Sequence, residues 1–101
     1  RMSLESVTED LRQRAGRAQS LGYKVKFDVG DGSFVHWDGT STPPVITNDD
    51  ADADTTITID LENMEKLLSG DLDPTFAYAT GKIKVEGSVG VALKMASLLG
   101  D

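Results

Sequence analysis

The closing segment, Val89 to Leu99, constrains the fold more than any other part of this chain. Val89, Val91, Ala92, Leu93, Met95, Ala96, Leu98 and Leu99 spread apolar side chains around nearly the whole circumference of a helix, and Lys94 is its only charge. A helix of that kind needs cover on more than one side. A chain of 101 residues makes a single domain, and it has little protein to spare for the purpose. The cover is then either a partner chain or an apolar ligand held inside the domain.

The remaining pattern is that of a layered domain. Ser3 is an N-cap, and Leu4, Val7, Leu11, Ala15 and Ala18 recur at helical spacing. This predicts a helix ending near Leu21–Gly22, with Gly22 closing it and Arg12, Arg14 and Arg17 on its solvated face. Tyr23, Val25, Phe27 and Val29 alternate with polar residues and form a half-buried strand. Gly30-Asp31-Gly32 turns the chain into a return strand, Ser33 to Asp38. Pro43 and Pro44 lead into a short strand, Val45 to Thr47, and Ile57 and Ile59 mark a fourth. Asp60 then caps a helix striped by Leu61, Met64, Leu67 and Leu68, which Ser69-Gly70 ends. Asp73-Pro74 opens a short helix that Gly81 closes. Ile83 and Val85 alternate in a fifth strand, Lys82 to Glu86, and Ser88 opens the closing helix. The expected class is α+β, a largely antiparallel five-stranded sheet with helices on one face.

Chemistry-bearing constellations are sparse. The net charge of −7 disfavours nucleic acid as a partner, because phosphates demand Lys and Arg clusters. There is no cysteine for thiolate metal sites or disulfides. His36, the only histidine, sits mid-strand with no nucleophile turn nearby. Gly30 and Gly32 start a dinucleotide fingerprint, but the third glycine is missing and a strand follows. Asp50, Asp52 and Asp54 imitate a calcium loop, yet Thr55 and Leu61 stand where Gly and a bidentate Glu belong, so a solvated acidic loop is expected. No catalytic residue, metal ligand or cofactor is assigned, and the expected protein is non-enzymatic and cytoplasmic. Arg1, before Met2, reads as an expression remnant.

What remains is apolar surface. Val25, Phe27, Ile57, Ile59, Met64, Leu67, Leu68, Phe76, Ile83, Val85, Val91, Met95 and Leu98 are expected to face inward. They either fill a core or line a slot between sheet and helices, and periodicity does not distinguish the two. Met64 and Met95 suit a slot, since thioethers adapt to variable neighbours.

One family shares these landmarks. Leu67-Leu68-Ser69-Gly70, Leu72-Asp73-Pro74, Phe76-Ala77, Gly81 to Gly87 (GKIKVEG) and Ala92-Leu93-Lys94 resemble the sterol carrier protein two family. Thr56 to Ile59 and the hairpin Val25 to Gly39 extend the resemblance to nearly the whole chain from Leu4. It implies an apolar tunnel between sheet and helices that binds a sterol, fatty acid, acyl-CoA, phospholipid or isoprenoid and moves it within the cell. Phe76, Ile83, Val85, Val91 and Met95 match positions in the family's helix–strand–helix block, and with the inward set they make the expected lipid contacts Phe27, Ile57, Met64, Leu67, Leu68, Phe76, Ile83, Val85, Val91, Met95 and Leu98. Transient membrane contact belongs to the same expectation. The ending Leu99-Gly100-Asp101 lacks the peroxisomal Ser-Lys-Leu of eukaryotic members, which points to a prokaryotic source. The alternative is an interaction or accessory module with a filled core. It would use its C-terminal helix to make a homodimer or bind a partner protein.

Overall fold

The computed structural model describes residues 3–18 and 21–99. Its elements are α1 (Leu4–Ala15), β1 (Lys24–Asp28), β2 (Phe34–Asp38), β3 (Val45–Thr47), β4 (Thr55–Thr58), α2 (Leu61–Ser69), α3 (Pro74–Ala79), β5 (Lys84–Gly87) and α4 (Val89–Leu99). The five strands form one sheet in the order β3-β2-β1-β4-β5. Every neighbouring pair is antiparallel except β1 and β4, which run parallel. No helix among the described residues is long and apolar enough to cross a membrane.

Alternation along each strand sorts the side chains onto two faces. Val85, Ile57, Phe27 and Val35 form one row across the sheet, and Thr55, Val25, Trp37 and Ile46 form the next. All of these but Val85 are buried, and the apolar ones among them join one core with Val7 and Leu11 of α1, Met64, Leu67 and Leu68 of α2, Ala77 of α3 and Met95 of α4. The opposite face carries Lys26, His36, Thr47, Thr56 and Glu86 in register.

That second face is not simply wet. The chain must pass from β3, at one edge, over β2 and β1 to reach β4. It does so through the acidic stretch 48–54. Lys26 pairs with Asp50 at 2.7 Å, and the His36 Nε2–H donates to the Asp52 carbonyl at 2.8 Å. His36 is buried as a result. The expected solvated acidic loop is therefore a strap with exposed carboxylates, tied to the sheet through a cation and through backbone.

The caps at Ser3, Asp60 and Asp73 accept backbone N–H groups from Ser6, Asn63 and Phe76, as their spacing predicts. Gly70 ends α2 with φ +84. The predicted end of the first helix is corrected. The helix stops at Ala15, and Gly16, a poor helix former, begins a turn in which the Arg17 and Ala18 amides bond to carbonyls three residues back. Residues 19 and 20, which the predicted helix included, lie outside the described residues, as do Arg1, Met2, Gly100 and Asp101. Gly22, with φ +77, instead turns the chain into β1, and its N–H donates to the Gly39 carbonyl. At the end of β2, Asp38 accepts both the hydroxyl and the amide of Thr40, which hold its carboxyl below the usual carboxylate range.

Candidate functional site

The sheet–helix interface brings together most of the residues that the sequence points to. Phe27 and Ile57 stand side by side on β1 and β4. Met64, Leu67 and Leu68 reach the interface from α2, and Met95 from α4; Ile83 joins them from the turn before β5. Phe27, Met64 and Met95 retain no accessible surface, Ile57, Leu67 and Ile83 retain 1%, and Leu68 retains 4%. A side chain facing a channel wide enough for water would keep some. The contact between the layers is therefore closed at these seven positions.

The closure relaxes toward the β5 edge. Val85 on β5 and Val91 on α4 are half-buried and pack on the core from outside. β5 pairs with β4 alone, so this is an edge of the sheet. Against α4 packs α3, a six-residue helix with a single buried residue, Ala77. Burying one alanine contributes little, about the 0.8 kcal/mol of a methyl-sized group. Backbone bonds also tie α3 to the strand that follows: the Lys82 and Ile83 amides donate to the Ala77 carbonyl at 2.8 and 3.3 Å.

Two of the expected inward residues are corrected. Phe76 is 56% exposed and Leu98 39%. The reason is helical geometry. A short helix resting on Ala77 turns its neighbour Phe76 away from the contact, and on α4 the buried stripe is Ala92, Met95, Ala96 and Leu99, which leaves Leu98 outside. Phe76, Tyr78 and Leu98 thus form apolar surface on α3 and α4.

Arg14 was the residue that sequence reasoning missed. Expected on a solvated face, its guanidinium instead donates to the carbonyls of Leu68, at 2.9 Å, and Leu99, the last turns of α2 and α4, while pairing with Asp10. A cation there satisfies carbonyls that a helix end leaves unpaired and suits the negative ends of two helix dipoles. Arg12, from the same predicted face, donates to the Ile46 carbonyl at 3.2 Å. The Asp10–Arg14 spacing signals an ion pair in the sequence, but nothing local identifies carbonyls so far along the chain.

Comparison with known proteins agrees with this architecture. The sequence profile described as the SCP-2 sterol transfer family matches residues 4–100. Sterol carrier protein 2 of Rattus norvegicus is 37% identical over 97 residues, which cover 94% of this chain and 17% of that protein. Hydroxysteroid dehydrogenase-like protein 2 of Xenopus tropicalis is 38% identical over 49 residues, covering 48% of this chain and 12% of that protein. The chain thus spans less than a fifth of the length of these curated relatives. Among solved structures, the Aedes aegypti sterol carrier protein-2 complex with palmitate superimposes with a TM-score of 0.76 at 19% identity, covering 97% of this chain and 96% of that one. At that identity the likeness is one of fold.

Proposed function

This chain belongs to the SCP-2 sterol transfer family, and from that premise we propose that it binds a long-chain lipid between its sheet and helices and carries it between membranes. The observation that supports this reading most is the reach of the family match. It runs from the start of α1 through α4 and so includes every element of the interface. The palmitate held by the Aedes aegypti protein of the same fold makes a single acyl chain the natural first ligand to try.

In this reading the closed interface is the empty state. The acyl chain enters at the relaxed edge, past Val85 and Val91, as α3 lifts on its one buried residue. It then lies along Phe27, Ile57 and Ile83 while Met64, Leu67, Leu68 and Met95 repack around it. Phe76 and Leu98, outside in the empty state, close over the entrance. Methionine suits the task, because its unbranched thioether fits several packings at small cost. Each methylene moved out of water contributes about 0.8 kcal/mol, so a dozen supply about 10 kcal/mol to set against the cost of association. The protein is a carrier in this reading and transforms nothing.

Titration with a fluorescent fatty acid, followed by displacement with palmitate, tests the proposal. The expected result is one saturable site. Val91→Asp places a charge at the entrance on a half-buried position, and it is expected to weaken probe binding by at least about tenfold, with a thermal melt to check that the variant is folded at the titration temperature. A wild-type protein that binds no displaceable probe, and shows no co-purifying lipid by native mass spectrometry, overturns the reading.

A further inference from the structure

The two edges of the sheet differ in how far they are closed. β3, three residues long, follows Pro43 and Pro44, and Arg12 of α1 donates to its Ile46 carbonyl. A short strand, proline and a covering side chain all blunt an edge. β5 has no such cover. It contains no proline, and among the described residues its backbone bonds only to β4. A free row of N–H and C=O groups is a template for another strand.

Side chains along β5 select the strand that fits. Lys84 and Glu86 lie on the sheet face away from the helices, opposite Thr58 and Thr56 of β4, and Val85 lies on the core face opposite Ile57. Lys84 and Glu86 are exposed, and neither takes part in an ion pair among the described residues. Val85 is half-buried. Opposite charges flanking an apolar residue make this strand complementary to itself. In an antiparallel pair of copies centred on Val85, residue 84 of each faces residue 86 of the other. Lys84 then meets Glu86 of the second copy on both sides of the centre, and the two Val85 side chains meet on the core face.

We propose that β5 is a homodimer contact, at which two copies of this chain pair antiparallel about Val85 and join their five-stranded sheets into one. Lysine alone on an edge keeps copies apart, because like meets like. Here a second copy brings opposite signs face to face, and opposite charges directly across a strand pair attract. The net charge of −7 on each copy opposes association. Charge beyond about 8 Å is screened at physiological salt, however, so the pairs at the edge decide. With four residues on each side, the contact buries less than the roughly 1,000 Å² of a stable interface, and the dimer is accordingly weak and concentration-dependent. It does not depend on lipid binding.

Sedimentation equilibrium at physiological salt, between about 10 µM and 1 mM protein, tests the contact. The wild-type protein is expected to pass from monomer toward dimer over that range. Lys84→Glu sets acid against acid on both sides of Val85, and Glu86→Lys sets base against base. Each is expected to weaken the dimer by about tenfold or more. Glu86→Lys lowers the net negative charge, so weakening by that variant reports the local pairs and not the overall repulsion. Mixing the two variants in equal amounts restores opposite charges across the contact, and the mixed pair is expected to form as readily as the wild-type dimer. Both positions are exposed, and thermal melts check that each variant is folded. A wild type that stays monomeric throughout, a dimer indifferent to Lys84→Glu, or variants that do not recover on mixing overturns the proposal. The fatty-acid titration at dilute protein reads the carrier function separately.

Discussion

Replacing Gly87 by alanine is expected to lower the melting temperature by at least about 15 °C, the largest effect of any small substitution in this chain. Gly87 has φ +102, and a Cβ built there would lie 2.6 Å from the Asp54 carbonyl oxygen and 3.2 Å from the Thr55 Cα. Both neighbours are backbone, so no side chain can swing aside. Nor can they retreat: the Asp54 amide donates to the Lys24 carbonyl, and the Thr55 hydroxyl accepts the Ser88 amide at 3.2 Å. The left-handed conformation costs an L-residue about 1–2 kcal/mol, and the collision raises the total to roughly 3–5 kcal/mol. Gly70 supplies the internal comparison. It has φ +84 with nothing within 4 Å of an added Cβ, so Gly70→Ala should show the conformational cost alone. If the two variants melt together, the close approach of β4 and β5 is not what positions the start of α4.

Arg14→Ala should rank next. The side chain closes the last turns of α2 and α4 against α1, and a hydrogen bond from a charged donor contributes about 1.5–3 kcal/mol. Water at this partly exposed site will replace some of that, so the net loss is about 2–4 kcal/mol, or roughly 10–20 °C in melting temperature. Arg14→Lys should recover only part of it, because one ammonium cannot match the spread of a guanidinium across two helix ends. Amide exchange should quicken in the last turns of α2 and α4 and change little in β1. A loss no larger than that of Arg17→Ala, at an exposed position, would show that the clasp contributes nothing to holding the helix layer down.

The contrast between Arg14 and the helix caps shows where sequence reading stops. Ser3, Asp60, Asp73 and Gly70 act on groups within a few residues of themselves, so spacing alone identifies their roles. The partners of Arg14 lie on two other helices, and no local pattern points to them. The strap 48–54 is a similar case. Composition predicts that it is wet, but strand order sends it over β2 and β1, where it covers His36. Phe76 and Leu98 are apolar at helical spacing, and only the way α3 rests on Ala77 and α4 on Met95 turns them outward.

By itself, then, the sequence determined which segments become helix or strand, where most of them begin and end, which strand residues share a face, and the family to which the chain belongs. These are local or additive properties: periodicity, capping and turn chemistry act over a few residues, and a family profile sums them along the chain. Tertiary structure alone decided that β1 and β4 run parallel, that the interface is closed in its middle and relaxed at the β5 edge, and that Phe76 and Leu98 face outward. The physical reason is that an alternating strand reads the same beside either neighbour. How closely two layers meet depends on side chains from elements distant in the chain, which come together only when the domain folds.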